Sequence, residues 1–119
     1  MLFTSDHGFS LGEFNLLMDK RHAYDFDTHI HLLVRGPGIV AGSTFDLPAT
    51  QVDLAPTFLS IAGVAKPAHM DGHSLLPLLV NSSAALPPAH RAARDHLDEL
   101  APAGAAAHAA GWRTSLLIE

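Results

Sequence analysis

The sequence predicts an α/β fold, and three observations carry that reading. Two apolar stretches, Met1 to Thr4 and Ile30 to Arg35, stop abruptly at polar or Gly-rich loops, the first with no polar alternation, as strands covered on both faces do. A third stretch, Leu54 to Ala62, repeats its apolar residues at helical spacing. The chain has 119 residues, 48% of them hydrophobic, and a mean hydropathy of +0.20, so it is one domain or part of one and far too apolar to be disordered. A parallel sheet with helices on both faces usually takes a longer chain.

The elements follow in order. Met1 to Thr4 reads as a short buried strand. Residues 5 to 28 form a polar loop, and a structureless connection of roughly 20 residues is more often functional than structural. Ile30 to Arg35 is the second strand, stopped by the turn Gly36-Pro37-Gly38. Gln51-Val52 closes a short extended piece, and Asp53 reads as the cap of a helix from Leu54. Leu54, Phe58, Ile61 and Ala62 form its apolar, core-facing side, Pro56 lies in the tolerated first turn, and Gly63 fits the C-terminal cap. Ser74 to Val80 is a short apolar helix. Composition then shifts: 12 of 19 alanines fall between Ala84 and Ala110, which marks off an Ala/Pro-rich segment, with an exposed helix over 89–100 and a flexible connector over 101–111. Trp112 to Glu119 reads as a truncated strand.

Several function classes are excluded. No cysteine is present, so this chain supplies no disulfide, Cys-ligated metal or thiol nucleophile. With 7 Lys+Arg against 12 Asp+Glu there is no basic stripe for nucleic acid. No apolar run approaches the ~20 residues of a membrane span, and no signal peptide is expected ahead of the first polar cluster. Protonating all 9 histidines takes the formal charge from −5 to +4, which bears on anionic ligands.

Asp6 and His7 sit where the first strand emerges, the end of an α/β sheet at which ligands bind. A carboxylate and an imidazole there suit a metal, but such a pair also arises by chance, and a turn cap is the simpler reading of Asp6 alone. Lys20, followed by Arg21, places an ammonium in the same loop, where it would stabilise an anion or else form a solvated surface pair with Asp19.

Five segments in order carry a resemblance. Ser5-Asp6-His7-Gly8, Asp19-Lys20-Arg21, Leu32-Leu33-Val34-Arg35-Gly36-Pro37-Gly38, Val52-Asp53-Leu54-Ala55-Pro56-Thr57 and Met70-Asp71-Gly72-His73-Ser74-Leu75-Leu76-Pro77 resemble the later half of a sulfatase catalytic domain. The likeness is closest to the N-acetylglucosamine-6-sulfatase and iduronate-sulfatase branch. It covers residues 1–80, and 112–119 resembles a later strand of the same domain across an 81–111 insertion or linker.

The resemblance implies a partial alkaline-phosphatase-like fold, a mostly parallel sheet flanked by helices, and hydrolysis of sulfate esters, often on glycosaminoglycans. It makes Asp6 a Ca2+ ligand, His7 the neighbouring metal-site residue or a sulfate contact, and Lys20 the catalytic group that binds sulfate and steadies the leaving oxygen. The partners it implies are a sulfated saccharide or small sulfate ester and the missing N-terminal half of the domain. The family nucleophile is a formylglycine made in a C/S-x-P-x-R motif, which these residues lack, so the chain alone is expected to be inert. His31 stands where relatives have Pro. A lysosomal or secreted location is implied, and Asn81-Ser82-Ser83 matches a glycosylation sequon. The alternatives are a non-catalytic truncated remnant and a phosphodiester or phosphonate hydrolase of the same superfamily.

Overall fold

A computed structural model describes residues 1–39, 41–80, 112, 113 and 115. Two compact units are present, Met1–Arg35 and a second beginning at Gly36. The segments expected over 89–100 and 101–111, the sequon at Asn81 and most of 112–119 lie outside the described residues.

In the first unit, β1 (Leu2–Phe3) pairs with β2 (Leu33–Val34), with Leu2 opposite Val34 and Phe3 opposite Leu33. The pairing is antiparallel, which corrects the expected mostly parallel sheet for the described residues. The reason lies in the loop between the strands, which folds back on itself. Gly8 N–H donates to Asp27 O at 2.8 Å, Phe9 N–H to Phe26 O at 3.0 Å and Ser10 N–H to Asp19 O at 2.9 Å, so the chain returns along its own path. The one α-helix between the strands is a single turn over Asp25–Thr28, too short for the crossover helix that usually joins parallel neighbours. Both strands are shorter than expected. The buried character expected of residues 1–4 is also corrected: Met1 is 83% and Phe3 59% exposed, so the sheet is uncovered within the described residues.

Inside that loop, Glu13–Asn15 makes a tight turn in which Phe14 and Asn15 take φ of 55° and 60°. The short helix α1 (Asp25–Thr28) follows, and its carbonyl ends meet Gly8. A Cβ at Gly8 would lie 1.8 Å from Phe26 O, so only glycine permits this approach.

In the second unit, Gly36-Pro37-Gly38 forms the expected turn: Ile39 N–H reaches Gly36 O at 3.2 Å and Gly38 has φ 80°, the left-handed angle a type II turn demands after proline. Helix α2 (Leu54–Ile61) matches the predicted helix, and Gly63 follows with φ 69°. Its buried side differs from expectation. Pro56 and Thr57 are buried, whereas Phe58 is 51% and Ile61 47% exposed. Hydrogen bonding decides the buried face: Thr57 Oγ1 donates to Asp53 O at 2.6 Å and accepts from Leu75 N–H at 2.8 Å, so this face turns toward residues 72–75. Leu75, 1% exposed, is the buried apolar residue at that contact and leads into α3 (Leu76–Leu79), shorter than the expected 74–80.

Candidate functional site

The loop after β1 places the sequence-predicted residues. Asp6 and His7 are brought into contact. Asp6 Oδ1 accepts from His7 N–H at 3.1 Å and lies 3.3 Å from Ser5 Oγ, while Oδ2 is 3.2 Å from His7 Nε2. His7 Nδ1 is 2.6 Å from Gly8 O. Both ring nitrogens therefore face oxygen acceptors, and a ring that donates at both positions satisfies both contacts. Desolvation pushes the Asp6 carboxyl up, but the His7 charge, backbone N–H groups and the Ser5 hydroxyl outweigh it and hold the group below its ordinary value of 3.8. The carboxylate, with its side chain 78% exposed, is ionised at neutral pH and open to solvent.

Lys20 is set by its neighbour. Asp19 pairs backbone to backbone with Ser10, so the Lys20 segment runs beside the chain three residues beyond His7. The Asp19 carboxylate accepts the backbone N–H of Lys20 at 2.8 Å with one oxygen and Arg21 Nε at 3.2 Å with the other. The surface pair thus forms with Arg21. The Lys20 ammonium is exposed and has no hydrogen-bond or ion-pair partner among the described residues. Glu13 stiffens the intervening turn by accepting from Leu11 N–H at 2.7 Å and Ser10 Oγ at 3.2 Å. Backbone N–H groups, its own first, outweigh desolvation and lower its carboxyl from 4.5.

As a metal centre the arrangement is partial. No group of three or more His, Cys, Asp or Glu converges among the described residues. The open Asp6 carboxylate suits a hard cation, but calcium takes about six to eight oxygen ligands, and the adjacent imidazole is a poor substitute. Asp6 fits as one contributor to such a site.

Sequence reasoning missed two groups. Asp27, 5% exposed, accepts His22 N–H at 2.7 Å through Oδ2. Spacing alone does not separate it from the solvated acid Asp25. Asp53, expected as the cap of α2, makes no side-chain cap bond to that helix. Instead it is fully buried and accepts Thr50 N–H at 2.9 Å, His73 N–H at 2.8 Å and Arg113 Nη2 at 2.6 Å. Arg113 also reaches His73 Nδ1 at 3.1 Å and lies 5.2 Å from the Trp112 ring, whose Nε1–H donates to Pro48 O at 2.7 Å. Because a guanidinium only donates, His73 Nδ1 is the acceptor. Gly72 completes the cluster, since a Cβ there would lie 1.9 Å from Val52 O. Asp53 and Gly72 fall inside two of the five resemblance motifs, which was their only signal.

An exposed carboxylate thus stands beside an imidazole, with an exposed and unpaired ammonium on the same loop. Comparison with known proteins supplies the class. Residues 12–90 match the family described as N-sulphoglucosamine sulphohydrolase, C-terminal. The chain is 42% identical over 118 residues to the extracellular sulfatase Sulf-1 homolog of Caenorhabditis elegans, covering 99% of this chain and 14% of that protein. It is 46% identical over 84 residues to human N-acetylglucosamine-6-sulfatase, and 42% identical over 84 residues to mouse arylsulfatase K, covering 70% and 71% of this chain and 15% of each relative. No solved structure matches at significance. The chain belongs to the sulfatase family and corresponds to its C-terminal domain. It spans about a seventh of the length of these relatives.

Proposed function

We propose that this chain supplies the sulfate-binding part of a sulfuric ester hydrolase acting on sulfated saccharides, in the manner of an N-acetylglucosamine-6-sulfatase, and working in an extracellular or lysosomal setting. The observation that carries it is the Lys20 ammonium, left unpaired because Asp19 holds Arg21. A compact, unpaired cation is suited to a sulfate oxygen and to the charge that develops on a departing alkoxide. Asp6 contributes a carboxylate to a Ca2+ site completed by other oxygens, and His7, in contact with Asp6, orients that carboxylate and contacts the bound ester.

The formylglycine of sulfatases supplies the nucleophile, and neither a cysteine nor a C/S-x-P-x-R motif occurs in these 119 residues. Turnover therefore depends on a partner segment that carries it, the N-terminal half of the domain, and this chain alone is inert. Its own work is to bind and orient: Lys20 holds sulfate, and Asp6 lies in the turn at the start of the same loop. Residues 81–111 act as an insertion in the domain, with Asn81 as a glycosylation site.

Titration of the chain with inorganic sulfate tests this. Lys20→Ala weakens binding at least about tenfold, which is ~1.4 kcal/mol, while Arg21→Ala stays within about twofold of wild type. Equal losses in both variants would mean diffuse charge attraction and would remove the assignment. With the nucleophile-bearing half present, turnover of an aryl sulfate but not an aryl phosphodiester separates this reading from the phosphodiester alternative.

A further inference from the structure

We infer that Asp27 is the positioning residue that ties the Asp6–His7 turn to the Lys20 segment, an inference that rests on the sulfate-binding reading above. Two hydrogen bonds make the tie. Through its backbone carbonyl Asp27 accepts Gly8 N–H at 2.8 Å, immediately after His7. Through Oδ2 it accepts His22 N–H at 2.7 Å, two residues after Lys20. One residue thus fixes the chain on both sides of the site, and it is itself fixed by α1, where its N–H donates to Tyr24 O at 2.9 Å.

The burial argues for the same role. Asp27 is 5% exposed, and its Oδ1 and the Nε2 of His22 are buried with no partner among the described residues. A carboxylate held mainly for stability would have both oxygens satisfied, because a buried unpaired acceptor is costly. The Tyr24 and Phe26 rings, 5.4 Å apart and each about 6.3 to 6.4 Å from the His22 ring, pack around that residue. They flank the residue whose N–H makes the hydrogen bond to Asp27. Lys20 and Asp6 thereby keep a fixed relation although each side chain is itself exposed.

An NMR titration of the full 15N-labelled chain with sodium sulfate tests the tie. In the wild type, the amides of Lys20, His22 and Gly8 shift with one common dissociation constant, and exchange of the His22 and Gly8 N–H groups slows together. Asp27→Ala weakens sulfate binding about tenfold and uncouples Gly8 from the titration. Asp27→Asn, whose amide oxygen still accepts from His22, stays within about twofold of wild type. A fall in melting temperature with coupling intact marks Asp27 as merely structural and overturns the inference. If Asp27→Ala does not fold, the wild-type exchange data decide it: protection of His22 without Gly8 overturns the tie. A response at Lys20 alone sinks the tie and leaves sulfate binding standing, whereas no response at any of the three removes both.

Discussion

Two carboxylates, Asp6 in the first unit and Asp53 in the second, meet opposite fates. Asp53 is fully buried and accepts two backbone N–H groups and a guanidinium, and this set answers its charge in full. Asp6 has a 78% exposed side chain that contacts its sequence neighbours Ser5 and His7. The cations follow the same division. Arg113 is 20% exposed and locked onto Asp53, while Lys20 stands exposed and unpaired. Asp53 and Arg113 are committed to the fold, whereas the Asp6 and Lys20 side chains lie at the surface.

Removing the committed carboxylate gives the largest effect. Asp53→Ala leaves a largely buried guanidinium and two backbone N–H groups without their acceptor, and costs about 3–5 kcal/mol. Asp53→Asn keeps the shape and costs less. Urea denaturation of both variants checks this; a loss under about 1 kcal/mol for the alanine would show that Asp53 is no hub.

The two close-approach glycines come next, and they separate stability from binding. Gly8→Ala and Gly72→Ala each drive a Cβ to within 2 Å of a carbonyl oxygen, of Phe26 and of Val52 respectively. Each costs about 1–3 kcal/mol or more. Only Gly8→Ala displaces the turn carrying Asp6 and His7, so it alone weakens sulfate binding, by an expected tenfold or so. Parallel thermal melts and sulfate titrations measure both. Equal binding losses would erase the distinction between the units.

How much of this was legible follows the range of the interactions. Helix α2 could be read because periodicity, Pro56 and Gly63 are local, and the Gly36-Pro37-Gly38 turn because proline and glycine fix its angles within four residues. The pairing direction of β1 and β2 was not legible, since it depends on Gly8 meeting Asp27 and Ser10 meeting Asp19. The buried face of α2 was misread because apolar spacing pointed to Phe58 and Ile61, while two hydrogen bonds of Thr57 turned the helix the other way. The contact between Asp6 and His7 was legible because the two are adjacent. The Arg113 to Asp53 contact spans 60 residues and leaves no local trace. Motif order recovered the family because it sums over all such contacts without needing to know any of them.

Exposed charges give smaller effects on stability. Lys20→Ala and Arg21→Ala change the unfolding free energy by no more than about 0.5 kcal/mol each, since the Arg21–Asp19 pair is solvent-screened, with 84% and 42% exposed side chains. Chemical denaturation checks this. A larger loss for Lys20→Ala would mean its ammonium serves the fold.

The smallest effect is the pH dependence of the turn between Asp6 and Lys20. Glu13 has its carboxyl lowered from 4.5 by backbone N–H donors, above all its own and that of Leu11. A lowered carboxyl binds its proton less readily in the folded chain than in the unfolded one. Its contribution is therefore fully present above pH 4.5 and is lost as pH falls below that value through the lowered one. Glu13→Gln removes the charge at every pH. The melting temperature of wild type should exceed that of the variant at pH 7, and the gap should close progressively below 4.5. A gap of constant size down to pH 3 would show that the turn is held by the shape of the side chain and that its charge is idle. The turn would then remain closed in acid, and the Lys20 segment would keep its place beside Ser10 throughout.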